Sequence, residues 1–114
     1  MSTQTFIQTE AEPWLDLPQF PGTQIMTLAN PVAEGSIHCL RMKAGTEIPF
    51  HTHPCDEYVY VLSGEIETCG KTCGKTCGAG TFWITPANVR QGKHKALTNV
   101  ELLTIRLGKM GEFE

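Results

Sequence analysis

Between Thr23 and Leu107 the chain alternates apolar and polar positions in short runs, each cut off by residues that turn the backbone. Gln24 to Leu28, Ser36 to Lys43, Glu57 to Leu62, Glu65 to Cys69, Thr81 to Thr85 and Val100 to Leu107 each read as a strand. Asn30-Pro31, Ala44-Gly45, Ser63-Gly64, Gly70, Gly78-Ala79-Gly80, Pro86 and Gly108 separate them. No stretch repeats its apolar residues at helical spacing between caps, so the pattern predicts an all-β sandwich or barrel.

The segment before it is different. Residues 1–22 are polar and carry Pro13, Pro18 and Pro21, which deny them a long helix or a central strand. They are expected to form an N-terminal arm ahead of a barrel at 23–114. Trp14, Leu15, Leu17 and Phe20 are too apolar for a free tail, which predicts that the arm docks on the barrel or on a second subunit.

Composition narrows the classes. With 114 residues, 40% of them apolar, the chain fits one core. A net charge of −3 offers no basic surface for nucleic acid or an anionic membrane. Residues 1–9 lack the pattern of a signal peptide and no apolar run reaches the ~18 residues of a membrane span, so a cytoplasmic location is expected. Five cysteines without a secretion signal read as reduced thiols. Cys69, Cys73 and Cys77 have three residues between each pair and no neighbouring histidine. That spacing is poor for zinc and good for a hairpin of small residues.

Chemistry concentrates in one segment. His51 and His53 are two apart, so on an extended backbone both imidazoles project from one face. Pro54 interrupts the strand, and Glu57 opens the next, where its carboxylate can reach the same point. Two imidazoles and a carboxylate suit one divalent ion: iron, manganese, nickel, cobalt or zinc. Tyr58 and Tyr60 fall on the face opposite Glu57 and are expected to serve packing or a dimer. Ile48, Phe50, Val59, Val61, Phe82, Trp83 and Ile84 are the candidate wall residues, only some of which can face inward.

Gly45, His51, His53, Glu57 and Gly64 match the first motif of the cupin superfamily without a gap, and in this the sequence resembles a small single-domain cupin of the RmlC-like type. Gly80, Pro86, Asn88 and Gln91 stand where the second motif has glycine, proline, glycine and histidine. The resemblance implies a double-stranded β-helix, or jelly-roll, barrel, commonly a homodimer. Asn88 is a mild departure, because Asn tolerates left-handed backbone. Gln91 is a larger one, because it replaces the fourth ligand. Its amide oxygen could coordinate the metal, it could bond a ligand beside a three-residue site with open positions, or it could mark a lapsed site. His94, three residues on, could supply the missing ligand, but simple alternation turns it to the opposite face unless a bulge at Gly92 intervenes. It is expected beside Lys93 and Lys95 in solvent. His38 alternates with Leu40 and Met42 and is a candidate for the substrate pocket. Cys55, between the ligands, reads as an inert turn residue.

Cupins serve many functions, so the fold alone does not choose one. The expected function is a metal-dependent enzyme on a small oxygenated molecule. A non-haem iron dioxygenase is the specific form, on a loose resemblance to diketone-cleaving dioxygenases and to the cupin domain of anti-sigma factors. The alternative is a binding or sensor module whose metal is structural.

Overall fold

The alternation in residues 57–63 decides which side of the chain becomes interior. In the computed structural model, which describes residues 3–68 and 74–114, Glu57, Val59 and Val61 are buried while Tyr60 and Leu62 face out. The strands are β1 (Leu15–Asp16), β2 (Thr23–Ala29), β3 (Ser36–Met42), β4 (Glu47–Ile48), β5 (His51–Thr52), β6 (Glu57–Ser63), β7 (Glu65–Thr68), β8 (Lys75–Gly78), β9 (Phe82–Thr85), β10 (His94–Ala96), β11 (Val100–Arg106) and β12 (Glu112–Phe113). The described helical structure is a 3-10 turn at Thr9–Ala11.

Six strands form one sheet in the order β1-β2-β3-β11-β6-β9, and four form a second in the order β4-β10-β7-β8. A third pair, β12-β5, lies between chain segments far apart in sequence. All pairings are antiparallel. The jelly roll expected from the motif is present as sheets around a shared core. No closed hydrogen-bonded barrel is formed among the described residues. The core takes Leu40, Val59 and Leu102 from the larger sheet and Ile48, Ile66 and Ala96 from the smaller, with Val61 and Ile66 fully buried. Burial of such a side chain stabilises by roughly 1.5–3 kcal/mol, so these positions hold the sheets together.

Of the twelve strands among the described residues, six are those anticipated from alternation, within a residue or two at each end. The arm docks through a short edge strand: β1 pairs with β2 after Pro13 and before Pro18, where proline costs no ladder bond. Leu17 and Phe20 pack against the core, and Trp14 lies under the Arg41 guanidinium at 4.2 Å from its ring centre. Leu15 stays exposed. The Cys-rich hairpin forms as β7 and β8, with Ile66 opposite Cys77. Cys77 is buried and free, and the expectation for Cys69 and Cys73 lies outside the described residues.

Candidate metal centre

The two motifs meet through the backbone. His51 and Gln91 exchange both of their N–H···O bonds at 2.9 Å, and Asn88 N–H donates to His53 O at 2.8 Å. Asn88 adopts φ of 66°, the left-handed conformation for which Asn substitutes well for glycine. This clamp brings Gln91 beside the His-X-His segment, while β6 carries Glu57 in from the adjoining strand.

His51, His53 and Glu57 are all buried, and each offers a ligand atom within 4.8 Å of the others. The imidazoles are oriented from behind. His51 Nδ1 donates to Pro49 O at 2.8 Å and His53 Nδ1 donates to Met110 O. Both rings are therefore held as the tautomer whose Nε2 lone pair faces the centre, as metal-ligating histidines require. His53 Nε2 lies 3.1 Å from Glu57 Oε2 but out of hydrogen-bonding alignment, and it is buried without a hydrogen-bond partner. A buried, oriented, unpartnered nitrogen next to a carboxylate is what a divalent ion would satisfy, so the donor set fits the metal that the sequence motif implies.

Gln91 spans two neighbours. Its Nε2 donates to Glu57 Oε1 at 3.1 Å, and its Oε1 accepts from Thr85 Oγ1 at 3.2 Å. The Glu57 carboxylate is thus gripped on one oxygen, leaving the other toward His53. Burial pushes Glu57 up, yet the contact and charge of the histidines prevail and hold it below the usual carboxylate range. Burial likewise pulls His53 down, but Glu57 more than reverses it. His51 stays below its ordinary value, chiefly through burial.

The three residues face a cavity of about 160 Å³ walled mainly by apolar side chains, among them Ile48, Val59, Trp83 and Leu102. That is the size of space that admits a benzene-sized guest. Phe82 and Ile84, candidate walls by sequence, instead lie on the outer face, more than half exposed, with Tyr60 and Leu62 beside them. Phe50 sits under the Arg90 guanidinium at 3.8 Å. His38 does line the cavity, with Nδ1 and Ser36 Oγ 2.8 Å apart. Cys55 stays in its turn, its thiol near Lys109 O.

His94 requires a correction. Expected in solvent, it is only 7% exposed and faces the cavity, its Nδ1 2.7 Å from Thr68 Oγ1. The alternation that would have turned it outward breaks at Gly92, whose φ of 105° reverses the parity, so that Gln91, His94 and Ala96 all point inward. Lys93 and Lys95 take the outward positions. Sequence reasoning also missed Phe113, which stacks on His51 at 4.6 Å and meets Phe20 of the arm at 5.0 Å. The only signal for it was Gly111, whose φ of 85° lets β12 lie against β5.

These burials set a pH dependence. His38 is pulled down to about 4 by burial, assisted by Arg106; His94 is pulled down to about 4 by burial, assisted by His51. The unfolded chain takes up these protons near 6.5 and the folded chain only near 4, so between those values the unfolded state binds more protons. Stability of the metal-free protein should therefore rise with pH across that window and level off above it. His53, with its raised value, acts in the opposite sense above its ordinary value of 6.5, where the folded chain holds the proton that the unfolded chain has lost. Denaturant midpoints measured through the window check it, and midpoints that stay flat or fall with rising pH would contradict the burial of these rings.

Comparisons place the chain in a family. No curated protein sequence matches the chain. Among solved structures, KdgF from Halomonas sp. is 20% identical with a TM-score of 0.80, over 95% of this chain and 97% of its own. An acetylacetone dioxygenase from Acinetobacter johnsonii is 16% identical with a TM-score of 0.80, over 95% of this chain and 76% of its own. A putative acetylacetone dioxygenase from Methylibium petroleiphilum PM1 is 18% identical, again at 0.80, over 95% and 79%. At such identities the likeness is one of fold. The family model described as the ChrR cupin-like domain matches residues 2–111, and with its jelly roll and His-His-Glu centre the chain belongs to that family of cupins.

Proposed function

We propose that the chain holds one divalent metal ion on His51, His53 and Glu57 and acts on a small oxygenated molecule, as an iron(II)-dependent dioxygenase of 1,3-dicarbonyl compounds. The observation that carries this reading is the pair of imidazoles with both Nδ1 atoms tied to backbone carbonyls, beside a gripped carboxylate, at the wall of a small apolar cavity. A metal ion there supplies Lewis-acid binding of a ligand's oxygens. The protein does the rest. Pro49 and Met110 orient the rings, Gln91 fixes Glu57, and Phe113 with Phe20 shields the histidines from water.

Size favours the aliphatic substrate over the aryl ketone. About 160 Å³ accommodates roughly 6 or 7 heavy atoms, the scale of 2,4-pentanedione. The acetylacetone dioxygenase from Acinetobacter johnsonii and the putative one from Methylibium petroleiphilum share the fold and support this class by analogy. The expected outcome is oxygen uptake by the iron(II)-reconstituted protein with 2,4-pentanedione, absent in His51→Ala/His53→Ala. No uptake across a panel of 1,3-dicarbonyls and hydroxyaryl ketones would overturn it.

The second reading, a binding or sensor module with a structural metal, draws on Gln91, whose carboxamide lies next to Glu57 and would close a fourth position if it exchanged its bonds to Glu57 and Thr85 for the ion. It expects metal and ligand binding with no oxygen uptake. In either reading the exposed apolar outer face of β6 and β9 is where the homodimer expected from the cupin resemblance would pair.

A further inference from the structure

Six polar side chains line the cavity outside the His51, His53 and Glu57 group: Gln19, Ser36, His38, His94, Thr104 and Arg106. Ser36 and His38 are paired with each other and Arg106 Nε donates to Gly108 O, whereas His94, on β10, stands against a ligand imidazole. Its ring meets His51 edge-on, with centroids 5.3 Å apart, and lies 5.7 Å from Trp83 in a tilted arrangement. Thr68 Oγ1, at 2.7 Å from Nδ1, fixes the ring from the neighbouring strand β7. Nε2 is the remaining polar atom, and it has no hydrogen-bond partner among the described residues.

Two simpler roles fit less well. Ligands of one ion at roughly 2.1 Å must lie within about 4.2 Å of one another. His94 is outside the group whose ligand atoms lie within 4.8 Å, so it is not placed to share the ion. A histidine that served packing alone would be expected to pair or seal both nitrogens, whereas Nε2 is unpaired by the described residues and is not among the fully buried unpartnered atoms, so it opens on the cavity. We infer that His94, held by Thr68, is a hydrogen-bonding contact to an oxygen of a small chelating ligand at the metal centre, and that it selects for such ligands in a mainly apolar cavity. This rests on the reading that the centre takes a small oxygenated ligand. It adds the residue that recognises it.

Removing the contact leaves the ligand oxygen without this donor in a largely apolar cavity, a loss on the order of 10-fold in affinity.

The test uses the full chain loaded with nickel(II) and titrated separately with acetohydroxamate, a small oxygen chelator, and with 2,4-pentanedione, while metal content is measured on the same samples. His94→Leu is expected to retain nickel at the wild-type level and to bind acetohydroxamate at least about 10-fold more weakly, with His94→Gln recovering part of the loss. Should His94→Leu fail to fold, Thr68→Val, which only releases the ring, is expected to weaken the chelator several-fold with nickel unchanged. Wild-type chelator affinity in these variants would overturn the inference, as would loss of nickel from His94→Leu, which would make His94 a ligand. Acetohydroxamate binding that depends on His94, without pentanedione binding, would sustain the inference and remove the dicarbonyl class proposed above. Failure of the wild-type nickel form to bind either probe would overturn both.

Discussion

Adding a divalent ion is expected to raise the unfolding midpoint of the wild-type chain by ten degrees or more and to leave His51→Ala/His53→Ala where it was. The ion binds a centre that exists only in the folded chain, because His51, His53 and Glu57 come together from β5, the turn after it and β6. At a free concentration about 1,000 times its dissociation constant, such binding stabilises by about 4 kcal/mol. For a domain of this size that corresponds to roughly 4 °C or more per kcal/mol. The double variant removes both oriented nitrogens and leaves a lone carboxylate, too few donors to hold the ion. Melting curves with and without metal, on both proteins, read the difference directly. An equal shift in both would place the binding elsewhere.

Gly64→Ala is expected to cost about 3 kcal/mol or more, whereas Gly45→Ala should cost only about 1–2 kcal/mol. The two glycines bracket the same motif and share a left-handed backbone, φ 81° and 87°. Their surroundings differ. A Cβ on Gly64 would run into the Asn99 carbonyl and come within 2.9 Å of Val100 Cα, backbone that β11 cannot yield without losing register. A Cβ on Gly45 meets nothing within 4 Å. The first variant therefore carries both the backbone penalty and the clash, the second only the backbone penalty. Denaturant unfolding of the metal-free proteins measures both, and similar losses would show that the close approach of Gly64 to Asn99 is not a feature of the fold in solution.

That contrast also shows what the sequence makes legible. The spacing from Gly45 through His51, His53 and Glu57 to Gly64 is local, and each residue in it answers to a rule of one strand or one turn. The candidate ligands could therefore be named before the fold was known. Long strands with unbroken alternation, such as β3, β6 and β11, were legible for the same reason. The two-residue strands β4, β5 and β12 were not, because two residues carry no period. β12 exists through its pairing with β5, some sixty positions earlier, and with it came Phe113 over His51. His94 was misplaced by applying alternation across Gly92, where a positive φ ends one strand's parity and starts another's. Its partner Thr68 belongs to β7, paired with β10 only in the folded sheet. Gln91 was found from its place in the motif, but its grip on Glu57 and Thr85 depends on two other strands.

The account stands on a metal centre built by three side chains, and elemental analysis tests that most directly. The protein is purified without a tag or added metal, beside His51→Ala/His53→Ala prepared in the same way. Close to one equivalent of a divalent metal per wild-type chain, reduced to background in the variant, is the predicted result. Metal absent from both preparations and not taken up on incubation, or retained in full by the variant, would contradict it.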